Sequence, residues 1–208
     1  CYMWNWEWSK LLAQSVRALY PDCLVVMGGP QVPAKSQEFF QTHPYVDVLV
    51  HYEGEITFSE ILREYLKESP DYTQVHGISA RTESTQCIQT TSRDRTFDLT
   101  VLPSPYLAGC FDSLIGDPYD FHASQETHRG CPYSCTFCDW GSAVASKVYR
   151  FDLDTLYAEL EWFAAHRIEF IFCADANFGI LPRDLDLVKY VADVRERTGY
   201  PHALSVQN

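Results

Sequence analysis

At 208 residues the chain is long enough for one large or two modest domains, each burying a core of its own. Hydrophobic residues at 46% and charged ones at 21% are globular values, and a formal net charge of -12 disfavours a nucleic-acid partner, whose phosphates call for clustered Lys and Arg. Eight Cys, three in one loop and the others (Cys1, Cys23, Cys87, Cys110, Cys173) scattered, do not form a secreted disulfide framework; a reducing cytoplasm fits them, and no apolar run is long enough to span a membrane. The chain opens on Cys1 and stops at Val206-Gln207-Asn208 within a predicted strand, so it reads as a fragment at both ends, with a signal peptide upstream left open.

Residues 1 to about 70 alternate helices with short apolar strands. Ser9 is the predicted N-cap of a helix through Tyr20, with Leu11, Leu12, Val16 and Leu19 on one face, ended by Pro21. Cys23 to Met27 is a continuous apolar run closed by Gly28, Gly29 and Pro30, which suits a buried parallel strand running into a tight turn. A helix over 34–42, a strand over Val46–Val50 and a helix over Ile56–Leu66, with Phe58, Ile61, Leu62 and Tyr65 at helical spacing, complete a β-α-β-α order. That order predicts a doubly wound parallel sheet, with ligands beyond the carboxyl ends of its strands. Gly28, Gly29 and Pro30, and the run from His51 to Glu55 containing Glu53 and Gly54, fall on that edge; an ordinary structural turn accounts for Gly-Gly-Pro as well.

Taken together, Tyr2-Met-Trp-Asn5, Val25-Val-Met-Gly-Gly-Pro-Gln-Val32, and Val46-Asp-Val-Leu-Val50 with Glu53-Gly-Glu55 resemble the later half of the Rossmann-like cobalamin (B12)-binding domain fused to one large branch of the radical S-adenosylmethionine (SAM) enzymes. The resemblance implies a corrin lying across these loops, cofactor-binding roles for Gly28, Gly29, Pro30, Glu53 and Gly54, and an incomplete domain over residues 1–70. The sequence departs from the pattern at His51 and Tyr52, where a glycine-type turn residue is more usual, and no Asp-x-His-x-x-Gly string offers a lower axial His. Trp4, Trp6 and Trp8 alternate as residues walling a flat macrocycle would, or as core and interface aromatics at a strand end do.

Residues 71–124 are expected to hold a β-hairpin, Val75–Arg81 against Cys87–Thr91, followed by an extended Pro- and Gly-bearing linker from Arg93 to Ser124 that passes between two domains. From residue 125 the alternation resumes. Glu126 to Arg129 is the predicted first strand, with helices over Leu153–His166 and Leu181–Thr198 and strands over Ile168–Ala174 and His202–Val206. A (β/α) barrel beginning here, incomplete at its C-terminal end, accounts for that order, and chemistry in barrels sits at the carboxyl ends of strands.

Directly after the first of these strands comes Cys131-x3-Cys135-x2-Cys138, followed by Trp140-Gly141. Neither interval keeps three side chains on one strand face, and Pro132 beside Gly130 opposes a helix, so a loop carries the thiols. Soft thiolates select iron–sulfur clusters or zinc. Three of them leave one iron of a cubane without a ligand from this loop. Adding His128 gives H-x2-C-x3-C-x2-C, which would close a Cys3His zinc site in an interaction module without turnover. A plain electron carrier would need a fourth Cys, such as Cys110 or Cys173.

The spacing C-x3-C-x2-C with Phe137 before the last Cys resembles the signature of the radical SAM enzymes. The resemblance implies that Cys131, Cys135 and Cys138 ligate a 4Fe-4S cluster, that its unique iron binds SAM, and that Phe137 lies near the adenine. It also implies reductive cleavage of SAM to a 5′-deoxyadenosyl radical. Asp175 and Asn177, in the turn after the second strand, resemble the Asp- or Asn-containing turn near the SAM amino group in cobalamin-linked members; an Asx turn is the structural alternative. Lys147 and Arg150 could meet a carboxylate or lie solvated.

The expectation is therefore an α/β chain comprising a cobalamin-binding-type domain over 1–70, a hairpin and linker over 71–124, and the first half of a radical SAM barrel over 125–208. It would act as a cytoplasmic enzyme on a small-molecule substrate, with cobalamin serving methyl transfer to an unactivated carbon. A reducing partner such as flavodoxin or ferredoxin would supply electrons, and neither nucleic acid nor membrane would be a partner. A radical SAM enzyme without bound cobalamin is the alternative within the same class.

Overall fold

Short apolar strands between amphipathic helices build the first 96 residues in three layers. In a computed structural model, residues 1–82, 86–115, 121–133, 135–138 and 147–207 are described, and the chain divides into two units, Cys1–Thr96 and Phe97–Asn208. Among the described residues no helix is long and apolar enough to cross a membrane.

The first unit contains helices α1 (Trp6–Leu19), α2 (Ser36–Thr42) and α3 (Glu55–Tyr65) and strands β1 (Val26–Met27), β2 (Val48–Val50), β3 (Ile78–Arg81) and β4 (Cys87–Gln89). The sheet order is β1-β2-β3-β4, with β1 and β2 parallel, Val26 opposite Val48, and the other pairs antiparallel. The expected hairpin thus forms, but it extends this sheet and makes it mixed. Period-two alternation sends Met27 and Leu49 to one face, with Ala13, Phe39 and Phe40, and Val48 and Val50 to the other, with Ile61, Ile78 and Ala80. Burial on both faces explains why the run is apolar throughout.

Two helix faces differ from expectation. On α1, Leu11, Leu12 and Leu19 are exposed, while Ala13, with Trp6 and Val16, packs inward. On the inward side Arg17 pairs with Asp47, whose carboxylate also accepts from Arg81 at 2.8 Å and the Val25 amide at 2.8 Å. On α3, Ile61 is buried with Thr57 and Glu64, whereas Phe58, Leu62 and Tyr65 face solvent. Helix α1 also begins earlier than Ser9, at Trp6 after Asn5, so the three tryptophans do not alternate along a strand: Trp6 packs on Phe39, Trp4 stacks on Tyr2, and Trp8 is exposed.

The second unit contains β5 (Ala123–Gln125), β6 (His128–Arg129), β7 (Tyr149–Arg150), α4 (Leu153–Ala165), β8 (Phe170–Cys173), α5 (Asp184–Thr198) and β9 (Ala203–Ser205). Strands β5, β8 and β9 form a parallel sheet in that order, with Ala123 opposite Ile171 and Ile171 opposite Leu204. Helix α4 starts at Asp152, which accepts from the amides of Asp154 and Thr155, and α5 ends at Gly199, whose φ of 86° suits glycine. Leu156, Leu160, Phe163, Ile171, Leu187 and Val191 make the core between helices and sheet.

The first parallel strand is 123–125 rather than 126–129. Its residues lack the β-branched signature, yet Ala123 joins the core and Gln125 is held by the Leu156 carbonyl and Glu159. The stretch read as an extended linker is also divided. Arg95 and Thr96 tie to Glu53 in the first unit, whereas in the second unit Tyr106 packs on Trp162 and Phe163, and its hydroxyl both donates to the Ser124 carbonyl and accepts from its amide. Those bonds occupy backbone groups on the edge of β5 that would otherwise be open.

Candidate functional site

The cysteine segment leaves the sheet where β5 ends. Beyond β5 the chain continues through residues 126–127, and β6 then pairs antiparallel with β7, His128 opposite Arg150 and Arg129 opposite Tyr149. The Phe151 amide donates to the Thr127 carbonyl at 3.0 Å, so a short ladder joins the chain before Gly130 to the chain after Val148 and forms the neck of the cysteine segment. Gly130, with a φ of 102°, opens that loop in a conformation L side chains rarely adopt. Of this loop, Ser134 and residues 139–146, including Trp140 and Gly141, lie outside the described residues.

All three thiols are free. Cys131 is half-buried, Cys135 and Cys138 are exposed, and a turn closed by the Cys138 amide on the Cys135 carbonyl, 3.1 Å, spans the two-residue interval. Phe137, in that turn, is 92% exposed. Among the described residues no group of three or more His, Cys, Asp and Glu side chains is gathered as a metal site. The fit to an iron–sulfur cluster therefore rests on donor chemistry: three unpaired thiols on one loop, whose convergence would be coupled to metal binding.

Beside the loop stands the turn after β8. Asp175 is buried and its carboxylate is fully engaged: it accepts from the Thr127 amide at 2.6 Å, the Thr127 hydroxyl, the His128 amide at 3.1 Å and His128 Nδ1 at 3.0 Å. Burial alone would push its pKa up, but the hydrogen bonds from His128 and Thr127 outweigh that and hold it below the usual carboxylate value. His128 is itself fully buried, and its Nε2 has no hydrogen-bond partner among the described residues. Asn177 instead reaches the loop, its amide donating to Cys131 Sγ at 3.9 Å.

Cys173 is a different kind of thiol. It is buried at the end of β8, and burial together with the neighbouring Asp175 charge pushes its pKa up to about 12, so it stays protonated and serves as core. Cys110 is free and exposed.

Arg183 belongs to this site and carries no obvious sequence signal. It donates to the Phe151 carbonyl at 2.5 Å and the Thr127 carbonyl at 2.7 Å, one on each strand of the loop neck. The Thr127–Asp175 contact could have been anticipated from the sheet: Gln125 lies opposite Cys173, so residues two further along each parallel strand come together. Arg150, on β7, is exposed.

In the first unit, Gly28 follows β1 so closely that a Cβ there would touch Val50 Cβ at 3.5 Å, and Gly29 has a φ of 100°. Pro30 is exposed beside them. Gly54 is the N-cap of α3, and Glu53 accepts from the Thr96 amide at 2.8 Å and from Arg95. Tyr52, one of the two residues at the expected glycine-type turn, occupies a φ of 63°, a conformation that favours glycine. His51 Nε2 is bonded to Ser79 Oγ at 2.9 Å.

No family model matches the chain. It is 47% identical over 99% of its length to a 2-(S-pantetheinyl)-carbapenam-3-carboxylate methyltransferase of Streptantibioticus cattleyicolor, and 45% identical, again over 99%, to the cobalamin-dependent radical SAM methyltransferase TokK of Streptomyces tokunonensis. In both cases the chain spans 31% of the relative. Among solved structures, it matches the radical SAM methyltransferase TsrM from Kitasatospora setae with a TM-score of 0.62 at 17% identity, over 90% of this chain and 36% of that one, a likeness of fold. The near-complete alignment of both units, cysteine loop included, with these relatives places the chain in the family of cobalamin-binding-domain radical SAM enzymes.

Proposed function

We propose that this chain supplies the cobalamin-side unit and the cluster-bearing part of a methyltransferase that transfers a methyl group to an unactivated carbon of a small molecule. The observation that carries this reading is the loop of three free thiols at the carboxyl end of the parallel sheet, with Asn177 directed at Cys131. Cys131, Cys135 and Cys138 would hold three irons of a 4Fe-4S cluster and leave the fourth for SAM. When bound and reduced, the cluster supplies the electron that cleaves SAM to a 5′-deoxyadenosyl radical.

Phe137 offers an exposed aromatic face for the adenine, and the Asn177 amide contacts Cys131 Sγ. In the first unit, Gly28, Gly29, Pro30 and Gly54 lie in the loops that follow β1 and β2, where a corrin would sit by family resemblance; Gly28 and Gly29 let those loops pack closely on Val50 and Cys1, and Glu53 shapes that edge by holding Arg95 and Thr96. Cobalamin bound there supplies the methyl-carrying metal. The name of the 47% identical relative suggests a carboxylate-bearing small molecule as the substrate class, and a flavodoxin or ferredoxin as electron donor suits the reductive step.

Anaerobic reconstitution of the whole protein with ferrous iron, sulfide and cobalamin, followed by dithionite and SAM, is expected to yield 5′-deoxyadenosine, with a corrin absorption band that survives gel filtration. One zinc per chain with no acid-labile sulfide would instead make it a zinc-stabilised module. Deoxyadenosine without retained corrin would reduce the reading to a radical SAM enzyme lacking cobalamin.

A further inference from the structure

We infer that Asp175 and Arg183 are positioning residues that clasp the neck of the cysteine loop and fix the place from which Cys131 meets its metal. The inference builds on reading the loop as a cluster site, but the clasp can be tested without metal.

Every polar backbone and side-chain group of Thr127 is held. Asp175 takes its amide and hydroxyl, while Arg183 and the Phe151 amide take its carbonyl. Asp175 also accepts from the amide and Nδ1 of His128, the first residue of the ladder. Arg183 reaches across to the Phe151 carbonyl on the returning strand, so one guanidinium holds the chain on both sides of the loop. Four donors meet the two oxygens of a carboxylate that is 1% exposed, which leaves little capacity for a further ligand.

The clasp is mounted on rigid elements. Asp175 follows core strand β8, and Arg183 is the N-cap of α5. The next residue, Asp184, is buried and accepts from the amides of Gly179 and Leu181, both at 2.9 Å, which fixes the turn between the two. Only His128, Arg129 and Gly130 separate Thr127 from Cys131, so displacement of the neck is transmitted directly to the first thiol. Sites whose ligands sit on loops depend on such support for their geometry.

Asp175→Asn places an amide N–H2 among four donors that need acceptors, and Arg183→Lys leaves one ammonium in place of a fork reaching two carbonyls. Val191→Ala, in the core face of α5 and remote from the neck hydrogen bonds, is the control for general destabilisation. In the metal-free whole protein, both clasp variants are expected to speed hydrogen exchange at the Thr127, His128 and Phe151 amides about tenfold or more beyond Val191→Ala. After reconstitution, they should also change the electron paramagnetic resonance line shape of the reduced cluster, which the control should leave as in the wild type. Exchange and line shape matching the control would overturn the clasp; Arg183→Lys carries the comparison should Asp175→Asn fail to fold. A wild type that takes up no cluster would sink the proposed function, while the exchange data would still decide the clasp.

Discussion

Cys135→Ala is expected to abolish the cluster, reducing iron from about four per chain to near zero after anaerobic reconstitution, because two thiolates cannot retain a cubane that already has an iron free of protein ligation. Cys135 lies exposed in the middle of the loop, with its carbonyl closing the turn to Cys138, so its thiol is available to metal and its loss leaves no packing defect. Cys87→Ala should leave the cluster intact. Cys87 is half-buried in β4, its thiol pKa is raised by burial, and its amide is held by Gln37, all features of a packing residue. Iron and acid-labile sulfide assays on both variants check the pair. Equal loss would show that the metal depends on Cys87 as much as on Cys135, and that the loop triad alone does not hold it.

Phe163→Ala is expected to destabilise the second unit by about 3–5 kcal/mol, the usual range for deleting a buried phenyl ring. Phe163 is fully buried in the core of α4 and the parallel sheet, and it meets Tyr106 edge to face at 4.7 Å. The loss would spread beyond the core, since Tyr106 also holds the backbone of Ser124 on β5, the strand that leads to the loop neck. Urea denaturation of the variant beside Leu185→Ala, whose side chain is 61% exposed, gives the scale; the latter should change stability by no more than about 0.5 kcal/mol. A cost below about 1 kcal/mol for Phe163→Ala would mean that the ring does not occupy this core.

What the sequence conveyed depended on how local each determinant was. The helices and most strands appear close to where periodicity put them, since side-chain alternation and helical spacing are local properties. The first strand of the parallel sheet was misplaced because Ala123, Ser124 and Gln125 are chosen by their surroundings: a small residue under the core, a backbone held by Tyr106, an amide matched to Glu159. The inward face of α1 carries Ala13, Trp6 and Val16 together with Arg17, which meets Asp47 30 residues away, and such a long-range pairing is not visible in the local leucine spacing. At the site, the three cysteines stood out because metal chemistry needs a fixed spacing of one residue type. Asp175 stood out too, but the structure places its carboxylate on Thr127 and His128, and only the parallel register of β5 and β8 explains that. Arg183 acts through carbonyl oxygens, which any residue can present, so nothing in the partners' side chains announced it.

The most direct test of the account is electron–nuclear double resonance on the reduced, reconstituted protein with SAM labelled by 15N at the amino group. A cluster held by Cys131, Cys135 and Cys138 alone, with its fourth iron binding the amino acid end of SAM, predicts a 15N coupling that disappears with unlabelled SAM. A cluster signal without any such coupling, indifferent to the presence of SAM, would contradict it.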